Sequence, residues 1–313
     1  VGCQSNDESP IETNQTYTPG PPSSQNINQT DEPKMLLNGS GGGLIVFENE
    51  EKSDYNYELF IMNADGSELT KLTDDPAFDG APSFSPDVKK FAFTSTRNGN
   101  MNVFIFDLEA YIKGEPTESI QLTDAGNNYC PAWAPDNSSI VFTSDRDGSF
   151  KIYKMNIDGS DEEIFIDLDG AFYPSWSSDS KKLVFNAKAN GTNEIYSIDT
   201  TGENLVRLTN NSVNDQFASW SPDGENIAYS SSDSITLFDI YTMDKNGESI
   251  VKLIASGNSD EFPIWSPDGT QILCRSSITG SDQLILMDKD GSNVRAITNL
   301  PGVIMDCDWK AIP

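Results

Sequence analysis

Pro263-Ile264-Trp265-Ser266-Pro267-Asp268-Gly269 is one copy of a pattern that returns along the whole chain. It stands again at Ala218-Ser219-Trp220-Ser221-Pro222-Asp223-Gly224, at Pro131-Ala132-Trp133-Ala134-Pro135-Asp136 and at Pro82-Ser83-Phe84-Ser85-Pro86-Asp87. Pro174-Ser175-Trp176-Ser177-Ser178-Asp179 keeps it with one change, and Cys307-Asp308-Trp309-Lys310 is a decayed sixth copy. The aromatic positions 84, 133, 176, 220, 265 and 309 are spaced by 49, 43, 44, 45 and 44 residues. A fixed period of this length marks a repeat architecture.

Each period carries the same elements. The aromatic residue ends a short strand, and Pro-Asp-Gly then turns the chain: Pro fixes φ, Asp bonds nearby backbone, and Gly accepts positive φ. An alternating strand follows, such as Ser139-Ile140-Val141-Phe142-Thr143, then a polar loop such as Asp145-Arg146-Asp147-Gly148. A third strand, a glycine turn and a fourth strand ending in Leu-Thr or Ile-Thr complete the unit, as at Leu208-Thr209 and Ile297-Thr298. Four short antiparallel strands per repeat predict a propeller blade. The longer first period places its surplus at Glu109 to Pro116, between the third and fourth strands. Leu44 to Thr73 supplies three strands without the aromatic first one, and the tail around Trp309 supplies only a first strand. The fold expected over residues 44–313 is therefore an all-β, six-bladed β-propeller of four-stranded antiparallel blades. N-terminal strands pairing with the C-terminal strand close the ring and remove its open edges.

The chain of 313 residues has 49 acidic and 20 basic side chains, a formal net charge of −29, and no histidine. Such a surface repels phosphate backbones and excludes nucleic acid, while favouring cations and basic peptides. Without histidine there is no Ser-His-Asp or Cys-His system, and the commonest ligand for zinc is missing. No apolar run reaches the roughly 18 residues that a membrane-spanning helix needs. Four cysteines, Cys3, Cys130, Cys274 and Cys307, form no C-x-x-C pair. Cys130 and Cys307 belong to blades with one blade between them, so free thiols are expected rather than a disulfide.

Residues 1–43 are rich in Asn, Gln, Ser, Thr, Pro and Gly, a composition that predicts a disordered polar tether. Its start, Val1-Gly2-Cys3-Gln4-Ser5, resembles the processed end of a bacterial lipoprotein signal, which implies lipidation of Cys3. The expected location is extracytoplasmic: a monomer on a bacterial envelope membrane, periplasmic or surface-exposed, touching that membrane only through its lipid.

The repeat itself, aromatic-Ser-Pro-Asp-Gly, then Ile-Tyr-x-Met-Asp, then Asp-Gly, then Leu-Thr, resembles that of the TolB C-terminal propeller family from Leu44 to Trp309. Propellers of prolyl oligopeptidase relatives carry similar repeats. The residues before Leu44 are too few and too polar for the α/β domain that precedes the propeller in TolB, so a stand-alone propeller lipoprotein is expected. The resemblance implies binding of peptides and cations at one mouth of the central channel.

Candidate residues for that mouth stand three before the small or Pro position of each motif: Asp79, Asn128, Ala171, Asp215, Asp260 and Ile304, with Glu261 adjoining. Asp79, Asn128, Asp215, Asp260 and Glu261 form the expected ligand or partner set. Asp79, Asp215 and Asp260 suit a hard oxygen-seeking cation such as Ca²⁺, the one cofactor the pattern accommodates. The same residues also suit capping of strand-end turns through backbone amides. Arg97 and Arg146 sit at equivalent places near this mouth and are expected to pair with its carboxylates across blades. The Asp-Gly pairs read as hairpin turns and the tryptophans as blade core. Two functions compete. One is a non-enzymatic scaffold for a basic protein or peptide, with no catalytic residue. The other is a Ca²⁺-dependent hydrolase or glycan-active enzyme using the acidic mouth, although lyases with related repeats rely on a histidine that this chain lacks.

Overall fold

The computed structural model describes residues 42–50, 55–232, 237–254 and 256–313. The tether and Cys3 lie outside these residues, apart from Gly42 and Gly43. The described residues form six four-stranded antiparallel sheets. The first strands of the blades are Asp79–Phe84, Asn128–Trp133, Phe172–Trp176, Asn214–Trp220, Asp260–Trp265 and Val303–Lys310. We number the blades 1 to 6 in that order.

Blade 6 is the composite. Leu44–Glu50 pairs antiparallel with Val303–Lys310 on one side and with Tyr57–Asn63 on the other. The two ends of the chain thus share one sheet, as the count of strands requires. The surplus of the first period folds as a short helix, Leu108–Ile112, capped by Asp107, between the third and fourth strands of blade 1.

Alternation along the strands explains the packing. Ile45 and Phe47 face blade 5, where they meet Leu273, Leu284 and Leu286. Leu44 and Val46 point the other way and meet Phe84, Phe91 and Phe93 of blade 1. A strand between two neighbours buries both faces, so it reads as a continuous apolar run instead of an apolar-polar alternation. Trp133, Trp220, Trp265 and Trp309 are buried in these interfaces.

Two polar signatures of the repeat acquire physical roles. In the Ser-Pro-Asp turns, Ser266 Oγ donates to Asp268 Oδ1 (2.7 Å) while Gln271 N–H donates back to Ser266 Oγ (2.9 Å). The same staple recurs at Ser85, Ser177 and Ser221. The threonine that ends each Leu-Thr pair extends the ladder through its side chain. Leu284 N–H donates to Thr298 Oγ1 (2.9 Å), which donates to Gln283 Oε1 (2.8 Å); Thr73 and Thr209 make the equivalent pair of bonds.

Thr298→Val keeps the shape and leaves a buried N–H and a buried amide oxygen each short of a partner. It should cost about 1–3 kcal/mol. Urea unfolding should show a lower midpoint at unchanged slope; an unchanged midpoint would remove the threonine's assigned role.

Candidate functional site

The residues singled out from the sequence stand at or within one position of the start of each first strand, and the structure turns the four Asp and Asn side chains into their own blades. Asp79, Asn128, Asp215 and Asp260 are each 0% exposed. Strand register sets them opposite Ser95, Ser144, Ser231 and Ser276 of the second strand. Arg97 Nη2 donates to Asp79 Oδ2 (2.7 Å) and Arg146 Nη2 to Asn128 Oδ1 (2.9 Å). Asn211 Nδ2 donates to Asp215 Oδ2 (2.8 Å), and Ser256 and Ser276 donate to the two oxygens of Asp260. Glu261 receives Arg275 (2.9 Å) and Ser259. Burial raises the carboxyl pKa of Asp79 and Asp215, and that of Asp260 to about 6.

These positions are therefore corrected from mouth ligands to anchors that tie the head of the first strand to the loop and second strand of the same blade. Each has an oxygen bonded beside it, Asp79 Oδ1 and Asp215 Oδ1 are buried without a partner, and four of the five residues present no surface. Asp79, Asp215 and Asp260 do not fit a shared Ca²⁺: no group of three His, Cys, Asp or Glu side chains able to hold a metal occurs among the described residues. Arg97 and Arg146 likewise bond within their own blades rather than across them, and each guanidinium also lies over aromatic rings, Arg146 4.5 Å from the Tyr153 centroid.

The axis is lined two residues further along. A register shift interrupts the first strand of blades 1 to 5, between Gly80 and Ser83, Tyr129 and Ala132, Phe172 and Ser175, Gln216 and Ser219, and Glu261 and Ile264. The residue in each bulge is left-handed: Ala81 (φ 48°), Cys130 (47°), Tyr173 (54°), Phe217 (57°) and Phe262 (55°). Non-glycine residues rarely accept this conformation, and a bulge re-aims the side chain it carries. With Asp306 of blade 6, these five line an axial cavity of about 160 Å³. All six stand three residues before their aromatic, so the 44-residue period held the signal, at an offset the sequence reading did not take.

The ring of six is lopsided. Tyr173, Phe217 and Phe262 from blades 3 to 5 lean together, with centroids 3.9 Å apart for Phe217–Phe262 and 4.6 Å for Tyr173–Phe217. Blades 1, 2 and 6 contribute the smaller Ala81, Cys130 and Asp306. Glu48 fills the remaining space: Ala81 N–H donates to its Oε2 (2.9 Å) and Asp306 N–H to its Oε1 (3.3 Å). A Cβ at Gly80 would overlap Glu48 Oε2, so glycine there lets the carboxyl reach Ala81 N–H.

Desolvation, reinforced by the Asp306 charge, lifts Glu48 from 4.5 to about 8; desolvation lifts Asp306 from 3.8 to about 7. Burial also holds the Cys130 thiol and the Tyr173 phenol well above their ordinary values. A thiol kept protonated is a poor nucleophile. Cys130, Cys274 and Cys307 are free, as the blade count requires. No helix among the described residues is long and apolar enough to cross a membrane.

Residues 167–299 match the TolB beta propeller domain family. A TolB homolog of Chlorobium luteolum is 32% identical over 105 residues, which cover 29% of this chain and 23% of that protein. The crystal structure of TolB from Acinetobacter baumannii superposes with a TM-score of 0.74 at 23% identity, covering 85% of this chain and 66% of that one. An oligogalacturonate lyase of Vibrio parahaemolyticus shares the fold at a TM-score of 0.54 and 16% identity, covering 84% of this chain and 75% of that one. The match thus spans about a quarter of the Chlorobium relative and just under two thirds of the Acinetobacter TolB.

The buried acids generate a pH prediction. Groups whose folded pKa is raised take up protons on folding, so their contribution is fullest below the unfolded value and is lost as pH rises through the folded one. For Glu48 and Asp306 that window runs from about 4 to about 8. The urea midpoint should fall between about pH 5 and pH 8.5, and Asp306→Asn, which removes the like charge beside Glu48, should flatten the fall. A midpoint that rises across this range, or an equal fall in the variant, would contradict the assignment.

Proposed function

We propose, from the premise that this chain is a TolB-like β-propeller, that it is a non-enzymatic scaffold at a bacterial envelope, holding a basic protein or peptide partner on the loop face at the head of its first strands. The observation that carries this reading is electrostatic. The net charge is −29, and that face presents exposed carboxylates from the loops between blades, such as Asp74 and Asp124. A field of one sign on a rigid face steers and orients an oppositely charged partner. The aromatic cluster on the axis and the protonated thiol of Cys130 support a binding role, because neither supplies a nucleophile. Cys3 supports attachment through lipid, with the polar stretch that follows acting as spacer. This corresponds to a periplasmic or surface-exposed site of action.

One observation favours a second reading, a carboxyl-driven hydrolase or glycan-active enzyme. Asp306 lines the axial cavity and Glu48 adjoins it, bonded to the Asp306 N–H, both with values near neutrality, which is the state a general acid or base needs.

Photoreactive residues placed at Asp74 or Asp124, in the full chain expressed with its own leader in the native envelope, should cross-link to a discrete protein. The same residues at Asp179 or Asp268, in the turns of the opposite face, should not. Labelling from both faces alike, or none from the first, would sink the scaffold reading. Turnover of any substrate that Asp306→Asn abolishes would establish the second.

A further inference from the structure

On the same loop face, but over blades 2, 3 and 4, lies a groove of about 700 Å³. Its volume falls within the roughly 300–1,000 Å³ of small-ligand sites. Tyr129, Phe150 and Phe172 form one aromatic group at this place. Their centroids are 5.8 Å apart for Tyr129–Phe150, 5.7 Å for Tyr129–Phe172 and 5.2 Å for Phe150–Phe172. The rings meet edge-on or tilted rather than in parallel stacks. Phe150 is 38% exposed although it belongs to this apolar group. Gly148, beside it in the loop, leaves open space where a Cβ would stand.

The polar lining includes three side-chain amides. Asn186, Lys188, Asn193 and Gln216 line the groove, and none of their side chains bonds to the protein among the described residues. Asn186 is 3% exposed, and its Oδ1 is buried without a partner. Buried amides are nearly always bonded, so an unpaired one calls for an explanation. The two carboxylates at the rim are already engaged. Asp145 accepts from Asn127 N–H (2.8 Å) and Nδ2 (2.9 Å), and Asp169 accepts from Ser149 Oγ (2.8 Å).

This set selects by elimination. A cationic ligand would meet the Lys188 ammonium as well as the two carboxylates, so the lining carries both signs and favours no net charge. An anionic ligand would lie between Asp145 and Asp169. Three side-chain amides offer donors and acceptors together, which matches groups that both donate and accept, namely hydroxyls. Aromatic rings beneath them need a ligand with an apolar face. A neutral pyranose has both features: hydroxyls around its edge and C–H bonds on its face.

We infer that the groove lined by Phe150, Phe172, Asn186, Asn193 and Gln216, with Tyr129 packed behind its two rings, is a binding site for a neutral saccharide. The site binds without chemistry, and it stands apart from Asp74 and Asp124, where the protein partner is placed. It is independent of the scaffold reading, and either can fail alone.

The test uses the full chain and a panel of neutral hexaoses built from glucose, mannose, galactose or N-acetylglucosamine, followed by titration calorimetry and saturation-transfer NMR. At least one hexaose should bind, and both Phe150→Ala and Asn193→Ala should weaken it about tenfold, with the melting temperature of Asn193→Ala unchanged. Asn193 is half-exposed, so that variant keeps the parent's stability even where loss of the Phe150 ring contacts lowers it. Failure of every hexaose to bind at about 10 mM, well above ordinary weak affinities, would overturn the proposal. So would equal affinity in the variants, or displacement of the hexaose by hexalysine, which would assign the groove to a basic peptide.

Discussion

Everything in this molecule depends on closing the ring, and closure is a matter of one strand. Leu44–Glu50 must pair with Val303–Lys310, some 260 residues away. Without that pairing two apolar faces, Ile45 with Phe47 and Leu44 with Val46, would stand in water, together with an unsatisfied strand edge. The cost of bringing distant ends together grows only slowly with loop length, whereas the apolar burial gained is that of two complete blade interfaces. Glu48 adds a specific contact at the seam, since its carboxyl receives N–H groups from Ala81 of blade 1 and Asp306 of blade 6. The strand that closes the ring thus also shapes the axis.

The repeat was legible because its constraints are local. Ser-Pro-Asp turns and Leu-Thr endings are hydrogen-bonded units within a few residues or one hairpin, so each copy preserves them and the period can be read directly. Strand count, closure and the position of the Glu109–Pro116 surplus follow from that period. The axial ring was not legible, because it depends on where a bulge falls. A one-residue insertion in a strand reverses every side chain beyond it. Counting from the motif without the bulge assigned the axis to Asp79, Asn128, Asp215 and Asp260, while the left-handed residues two positions on hold it. The four polar residues carried the usual chemistry of a site, and the five that line the axis, Ala81, Cys130, Tyr173, Phe217 and Phe262, carried the usual chemistry of a core.

The same distinction applies to the arginines. Arg97 and Arg146 occupy corresponding places in successive blades, which suggested a bridge between them. A blade is a strongly coupled sheet, however, and the nearest acceptor to a second-to-third loop is the head of the first strand in that sheet. Pairing within the blade also lets each guanidinium lie over two rings of its own blade, Phe93 and Phe104 for Arg97, Phe142 and Tyr153 for Arg146. A pair across blades would forfeit those contacts.

Volume on the axis then decides where function can reside. Six bulged residues point into a space that six large side chains could not share. Aromatic residues on blades 3 to 5 occupy it only because blades 1, 2 and 6 supply Ala81, Cys130 and Asp306. The outcome is a narrow cavity bounded by rings and by the Asp306 carboxyl, with Glu48 beside it, both raised toward neutrality by burial. Such a centre stabilises the ring but offers little area to a macromolecule. Recognition is thereby moved to the loop face, where connections between blades are free to vary because the strands beneath them are fixed. On that face acidic loops lie on one side and an aromatic groove with unspent amides on the other, so a single rigid ring presents two surfaces of different chemistry.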